Sequence, residues 1–255
     1  MRLERPRAGK LSSILCVLVL GSSVATAATE TSRLLDQAEY LMLNCHLDPA
    51  YLDSAEGLIG QVRSLDPDNQ RSLYLAARLK IEQADFAPGR SGRRDLLRAA
   101  QAIAESLENL DGSDARGHVW DGIATGRLGQ MNGIVNSLAM LPTVKREFNR
   151  ALALDSTCPE AYEALGRLNY EIPAIAGGNL LRSVNYFQTG LRFAPNYTVL
   201  RLDLARAYVK LGRKEEAMDE LDTLLATSEP YPPCDFVLRD KPEAERLLAR
   251  LKAEE

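Results

Sequence analysis

Runs of apolar and small residues recur along this chain at helical spacing, and the points where each run stops recur too. Leu202, Leu204-Ala205 and Tyr208 share one helical side. Gly212 interrupts the run, and Ala217, Leu221 and Leu224 form a second. One 34-residue step upstream of that second set stand Ser183, Phe187 and Gly190, closed by Pro195 and preceded by Tyr162, Leu165 and Gly166. Val144, Phe148 and Ala151 follow His118, Trp120 and Gly122 and are closed by Ser156. Ala100, Ala104 and Leu107, closed by Gly112, follow Leu73, Ala76 and Ala77, while Ala55, Ile59 and Val62 are closed by Pro67. No stretch alternates with a period of two and β-branched enrichment, so a sheet has no source in this sequence.

Helices of about 12–15 residues are marginal alone, so each pair must bury its shared stripe against the next pair. Small residues at Ala77, Gly166 and Ala205 let paired helices approach, and Phe148 and Phe187 fill the space between neighbours. The spacing matches the tetratricopeptide template of 34 residues. It predicts an all-α, tetratricopeptide-like solenoid of four to five helical hairpins. The closing positions Pro67, Gly112, Ser156 and Pro195 lie 45, 44 and 39 residues apart. The excess over the template falls between the two helices of each unit, which predicts inserts on one edge of the stack. Pro230, Pro232 and Pro233 end the repeats, and a closing helix is expected over 241–253, with Leu247, Leu248 and Leu251 on its buried face.

The first residues read as an address. Arg2, Arg5, Arg7 and Lys10 precede an apolar run, Leu11–Leu20, which is followed by small residues that include Ala25 and Ala27. This is the three-part layout of an export signal, here 1–27, and the run is short for a membrane span. The repeat domain then occupies 28–255, exported or periplasmic, with no transmembrane segment. Cys16 invites a lipid anchor, but Leu15 stands where a small residue is wanted. The net charge is −4, and the basic leader leaves the remainder at −7, which argues against nonspecific nucleic-acid binding. Cys45, Cys158 and Cys234 are an odd set. One disulfide with a spare thiol and three inert buried thiols are both compatible, the second being the expected arrangement.

A narrower resemblance is carried by three segments. Ala115-Arg-Gly-His118-Val-Trp120, continuing to Gly129, is similar to the Ala-x-x-His-x-Trp first helix of the TatT family, the T component of TRAP transporters. Val144–Asp155 resembles that family's Phe-x-x-Ala-Leu-x-Leu-Asp element. Ala164-Leu-Gly-Arg-Leu-Asn-Tyr170, with Pro173 and Gly177-Gly178, resembles a third. The likeness spans about 115–225. The regulator-of-microtubule-dynamics family shares much of the pattern, including the His-x-Trp, although an export signal argues against a cytosolic microtubule role. The TatT resemblance implies a helical, non-catalytic periplasmic partner of a TRAP solute-binding protein, with room for an apolar ligand.

Candidate chemistry is sparse. His46 and His118 are 72 residues apart and lack partners at the helical spacing of a metal motif, so no metal and no cofactor are expected. No Ser/His/Asp or Cys/His set can be argued, so the chain reads as no enzyme. Gly122, Gly126, Gly129 and Gly133 read as close helix contacts followed by a flexible insert, and Arg90, Arg93 and Arg94 as a basic loop. Trp120 is a candidate cavity wall beside its packing role. The alternative functions are a general cell-envelope tetratricopeptide adaptor and a carrier of an apolar small molecule or lipid, held in a cavity formed by the inserts 130–142 and 172–179. Arg78, Arg167 and Arg206 occupy one position of three first helices, with Tyr170 and Lys210 three and four residues on. First helices line the inner face of such solenoids, and guanidinium suits carboxylates. These five residues are therefore the candidate binding face for an acidic segment of a protein partner. An oligomer is compatible with all of this.

Overall fold

The structure is a computed structural model that describes residues 12–254, with side chains from residue 28 onward. Among the described residues eleven helices follow in order: α1 (Ser12–Leu43), α2 (Tyr51–Leu65), α3 (Gln70–Phe86), α4 (Arg90–Leu110), α5 (Ala115–Met131), α6 (Ile134–Leu154), α7 (Pro159–Glu171), α8 (Leu180–Phe193), α9 (Thr198–Lys210), α10 (Lys214–Leu225) and α11 (Lys241–Ala253). A short turn at Pro233–Asp235 and a π-helical turn at Phe236–Asp240 join α10 to α11. Each odd helix up to α9 packs on the even helix after it, and α3, α5, α7 and α9 also meet one another in succession. The expected all-α hairpin solenoid is therefore present, with the first helices side by side on its inner face. The closing helix matches the expected span.

Local chemistry sets the units. Three second helices end in the same way, with Asp66, Asp111 and Asp155 as C-caps whose N–H groups donate to carbonyls at Val62, Leu107 and Ala151. The Asp111 and Asp155 carboxylates then accept from the backbone N–H and hydroxyl of Ser113 and Thr157. First helices start on Asn69 and Asp114, whose side chains accept from the N–H of Ser72 and Arg116, satisfying donors a helix start leaves free. The core runs along the stack from Leu35, Ala38 and Met42 at one end to Leu221, Leu224 and Leu251 at the other. Phe187 is 0% exposed and lies over Gly166, where an added Cβ would come within 2.2 Å of its ring. Phe148 covers Gly122 in the same way.

Three expectations need correction. The excess residues of the α3/α4 and α5/α6 units do not form loops. They lengthen α4 and α6 to 21 residues each, leaving turns of two or three residues at Gly89 and Gly133, both with positive φ. Arg90, Arg93 and Arg94 accordingly lie in the first turns of α4, and the Arg93 guanidinium donates to the Ala84 carbonyl. Only the α7/α8 insert is irregular, a 3-10 turn at Ala174–Ala176. Cys45 and Cys234 are joined by a disulfide across 189 residues, with Cα atoms 5.5 Å apart, and among the described residues Cys158 alone remains a buried free thiol. The export signal and the lipid-anchor alternative at Cys16 fall on residues 1–27, outside the described side chains. Among the described residues no helix is long and apolar enough to cross a membrane.

Candidate functional site

The inner face carries all five predicted residues, and the chain itself uses their charges. Arg78 on α3 is buried and donates from Nε to Glu82 at 2.7 Å, with Nη1 3.5 Å from the Tyr231 hydroxyl. Burial alone would depress its pKa, but Glu82, Tyr74 and Tyr231 hold it well above the ordinary arginine value. Arg167 on α7 reaches Glu163 and Glu171 at 3.3 Å and Asp203 at 3.8 Å. Its pKa is raised chiefly by the charge of Glu163. Arg206 on α9 pairs with Asp203 at 2.6 Å and with Glu243 of α11 at 2.9 Å. Lys210 sits 3.5 Å from the ring centroid of Tyr170 and donates to the Tyr170 carbonyl.

The segment after α10 adds one partner to this face, Tyr231 beside Arg78, while Arg167, Arg206 and Lys210 are paired by residues of α7, α9 and α11. Tyr231 bridges to Asn196 and Thr198 through backbone bonds and stacks edge-on to Tyr197. Asp235 and Arg239 follow, and Arg239 acts on Glu163 of α7 while Asp235 acts on Glu82 of α3. Cys234 then closes onto Cys45 in the α1–α2 connection. The groove expected to be open is crossed by the chain's own residues 231–240. Local periodicity places arginines on a face but does not reveal what covers it.

Trp120 packs against two core clusters, with its ring centroid 6.3 Å from that of Tyr74. A cavity of about 600 Å³ lies beside Cys45, its wall part apolar, with Leu52, Phe86 and Leu96, and part charged, with Asp53, Glu56 and Lys80. It lies between α2, the α3–α4 turn and the π-helical turn, rather than between the predicted inserts. The predicted inserts instead expose apolar side chains: Ile134 is 73%, Val135 77% and Ile175 99% accessible, with Leu181 beside them in sequence order at 62%. All four lie where a first helix passes to its second, on the same edge as Phe86 (58%).

A second cluster was missed because its members sit on three helices. Glu108 of α4, His118 of α5 and Glu147 of α6 each present a ligand atom within 4.8 Å of the others. His118 Nδ1 is 2.9 Å from Glu147 Oε2 and 3.5 Å from Glu108 Oε2. Arg146 holds the other Glu147 oxygen at 2.8 Å. Burial pushes the Glu108 carboxyl up to about 7 against the pull of His118, with Asp121, Glu147 and Glu105 adding to the rise. His118 Nε2 and Glu108 Oε1 are buried without a hydrogen-bond partner. The sequence signal was faint: Gly117 precedes His118, and a Cβ there would lie 2.8 Å from Glu108 Cγ.

A family model described as Regulator of microtubule dynamics protein 1-3 matches residues 34–176, and a tetratricopeptide-repeat model matches residues 174–230. No curated protein matches the chain significantly. Among solved structures, a thermophilic tetratricopeptide protein of Thermus thermophilus is 14% identical, with a TM-score of 0.65 over 88% of this chain and 99% of that one. The type IV pilus biogenesis factor PilW is 16% identical, with a TM-score of 0.53 over 88% and 92%. PilF of Pseudomonas aeruginosa is 15% identical, with a TM-score of 0.52 over 88% and 99%. At these identities the likeness is one of fold.

Proposed function

The chain belongs to the regulator of microtubule dynamics protein 1-3 family, and from that premise we propose that it is an exported, non-catalytic helical-repeat protein that binds a partner protein. The partner is the solute-binding protein of a TRAP-type transporter, the role implied by the resemblance of the segment 115–225 to the TatT family, the T component of those transporters. The basic, apolar and small-residue leader supports export, and so does the Cys45–Cys234 disulfide, since such bonds persist in oxidising compartments.

The observation that carries the binding role is the apolar edge. Ile134, Val135, Ile175 and Leu181 are each more than 60% accessible at the turns between paired helices, and apolar side chains left exposed at one edge are where an interaction site is to be sought. The inner arginines are engaged with Glu82, Glu163 and Asp203, so the edge rather than the inner face is the docking surface. The test is a crosslinked pull-down from the cell envelope with the full chain as bait. A TRAP-type solute-binding protein is the expected main prey. Ile134→Asp combined with Val135→Asp should remove it while shifting stability by less than about 0.5 kcal/mol, as surface changes do. Reproducible absence of that prey, or its retention by the double variant, overturns the reading.

A further inference from the structure

Glu108, His118 and Glu147 share a feature that the scaffold role does not require. Three consecutive helices each send one oxygen or nitrogen donor to a common point, and the three donors lie within 4.8 Å of one another. Separations of 2.9 and 3.5 Å from His118 Nδ1 to the two carboxylates bracket the roughly 3.0–3.4 Å between neighbouring ligands about 2.0–2.1 Å from one cation. The surroundings fix this arrangement. Arg146 clamps Glu147 Oε1 and leaves Oε2 facing the imidazole. Gly117 leaves room for the Glu108 chain, whose Cγ would otherwise meet a Cβ at 2.8 Å. Glu108 Oε1 is buried with no hydrogen-bond partner, so one acceptor stays unsatisfied by the protein alone. Asp121, three residues beyond His118, is buried and takes a hydrogen bond from Thr125, adding negative field beside the triad without joining it.

We propose that Glu108, His118 and Glu147 bind one first-row divalent cation of the zinc class. Imidazole with carboxylates suits zinc, whereas magnesium prefers oxygen ligands and retained water. Two carboxylates and a neutral imidazole give the site a net charge of −2, which one such ion neutralises. The ion would cross-brace α4, α5 and α6, and the remaining coordination positions would fall to water. The competing arrangement is a proton shared between His118 and the two glutamates.

The experiment is calorimetric titration of the full chain, stripped with a chelator, with Zn²⁺ and separately with Mg²⁺. Saturable one-to-one Zn²⁺ binding is expected, with Mg²⁺ more than about tenfold weaker. Glu108→Gln, which is isosteric and removes a partly exposed charge, and Glu147→Gln should each weaken Zn²⁺ by more than about tenfold. His46→Ala, distant from the triad, should leave binding unchanged. Co²⁺ loading supplies a second readout on the unmutated chain: visible bands without thiolate charge transfer exclude Cys158 as the ligand. Absence of binding by the stripped chain, equal affinity for Mg²⁺, or binding that survives both glutamine variants leaves the shared proton as the answer.

Discussion

Cys158 shows how burial governs chemistry one residue at a time. It opens α7 beside Pro159, and burial pushes its thiol up to about 12, with the charge of Glu160 adding to the rise. The thiolate is the reactive form, so iodoacetamide at pH 8 should leave Cys158 of the folded chain unmodified, read by peptide mapping, and label it fully after denaturation. Labelling of Cys158 in the native protein would mean that this thiol is not packed as described. Glu108 offers the opposite kind of test. Its folded pKa, about 7, exceeds the ordinary 4.5, so the folded, metal-free chain binds more protons than the unfolded one between those values. Stability should therefore fall as pH rises from 4.5 to 7, against a background of His118 and Asp121 on α5, Glu147 on α6 and Glu105 on α4. Glu108→Gln should flatten that fall in denaturant titrations, and an unchanged slope would remove Glu108 as its source. An inert, buried Cys158 was expected from the sequence, whereas the surroundings of Glu108 were not legible there. A search for ligands at i and i+4 finds sites on one helix, whereas this triad takes one residue from each of three.

At the scale of the element, glycine substitutions should divide by their surroundings. Gly166→Ala forces a Cβ to within 2.2 Å of the Phe187 ring and should cost about 1–3 kcal/mol, the usual penalty of overpacking. Gly57→Ala on α2 meets nothing within 4 Å and should stabilise by about 0.5–1 kcal/mol through helix propensity. Thermal denaturation of the two variants should give shifts of opposite sign, and a shared sign would contradict the helix packing described here. Much of this scale was readable beforehand: Gly166 and Phe187 stand at template positions, and Lys241–Ala253 keeps the expected span with Leu247, Leu248 and Leu251 buried. What escaped was helix length. Pro88-Gly89-Arg90-Ser91-Gly92 has the composition of a loop, yet with Gly89 at φ +79° the turn is complete in three residues, 87–89, and α4 begins at once. A helix start needs few residues when a glycine can adopt the left-handed region.

The whole molecule departs most from its repeat logic. A solenoid is a stack in which each unit touches only its neighbours, and its terminal units fray first. Here Cys45 and Cys234 join the first hairpin to the segment before α11. Cross-linking a loop of this length removes unfolded-state entropy worth about 5 kcal/mol in the chain-entropy description, and about 2–4 kcal/mol is typical. Cys45→Ser with Cys234→Ser, or reduction of the unmutated chain, should lower the melting temperature and expose residues 228–240 to protease before the central helices. Equal stability with and without the bond would show that packing alone holds the ends. The count of cysteines left this pairing open, because end-to-end closure depends on curvature summed over five hairpins. Each hairpin contributes an angle that no single stripe of leucines encodes.

That bond also sets an order of events at birth. Cys234 is synthesised after ten of the eleven helices, so the clasp cannot shut until nearly the entire polypeptide has emerged. A truncated product that stops before Cys234 leaves Cys45 without its mate, so a free sulfhydryl at that position marks an unfinished copy.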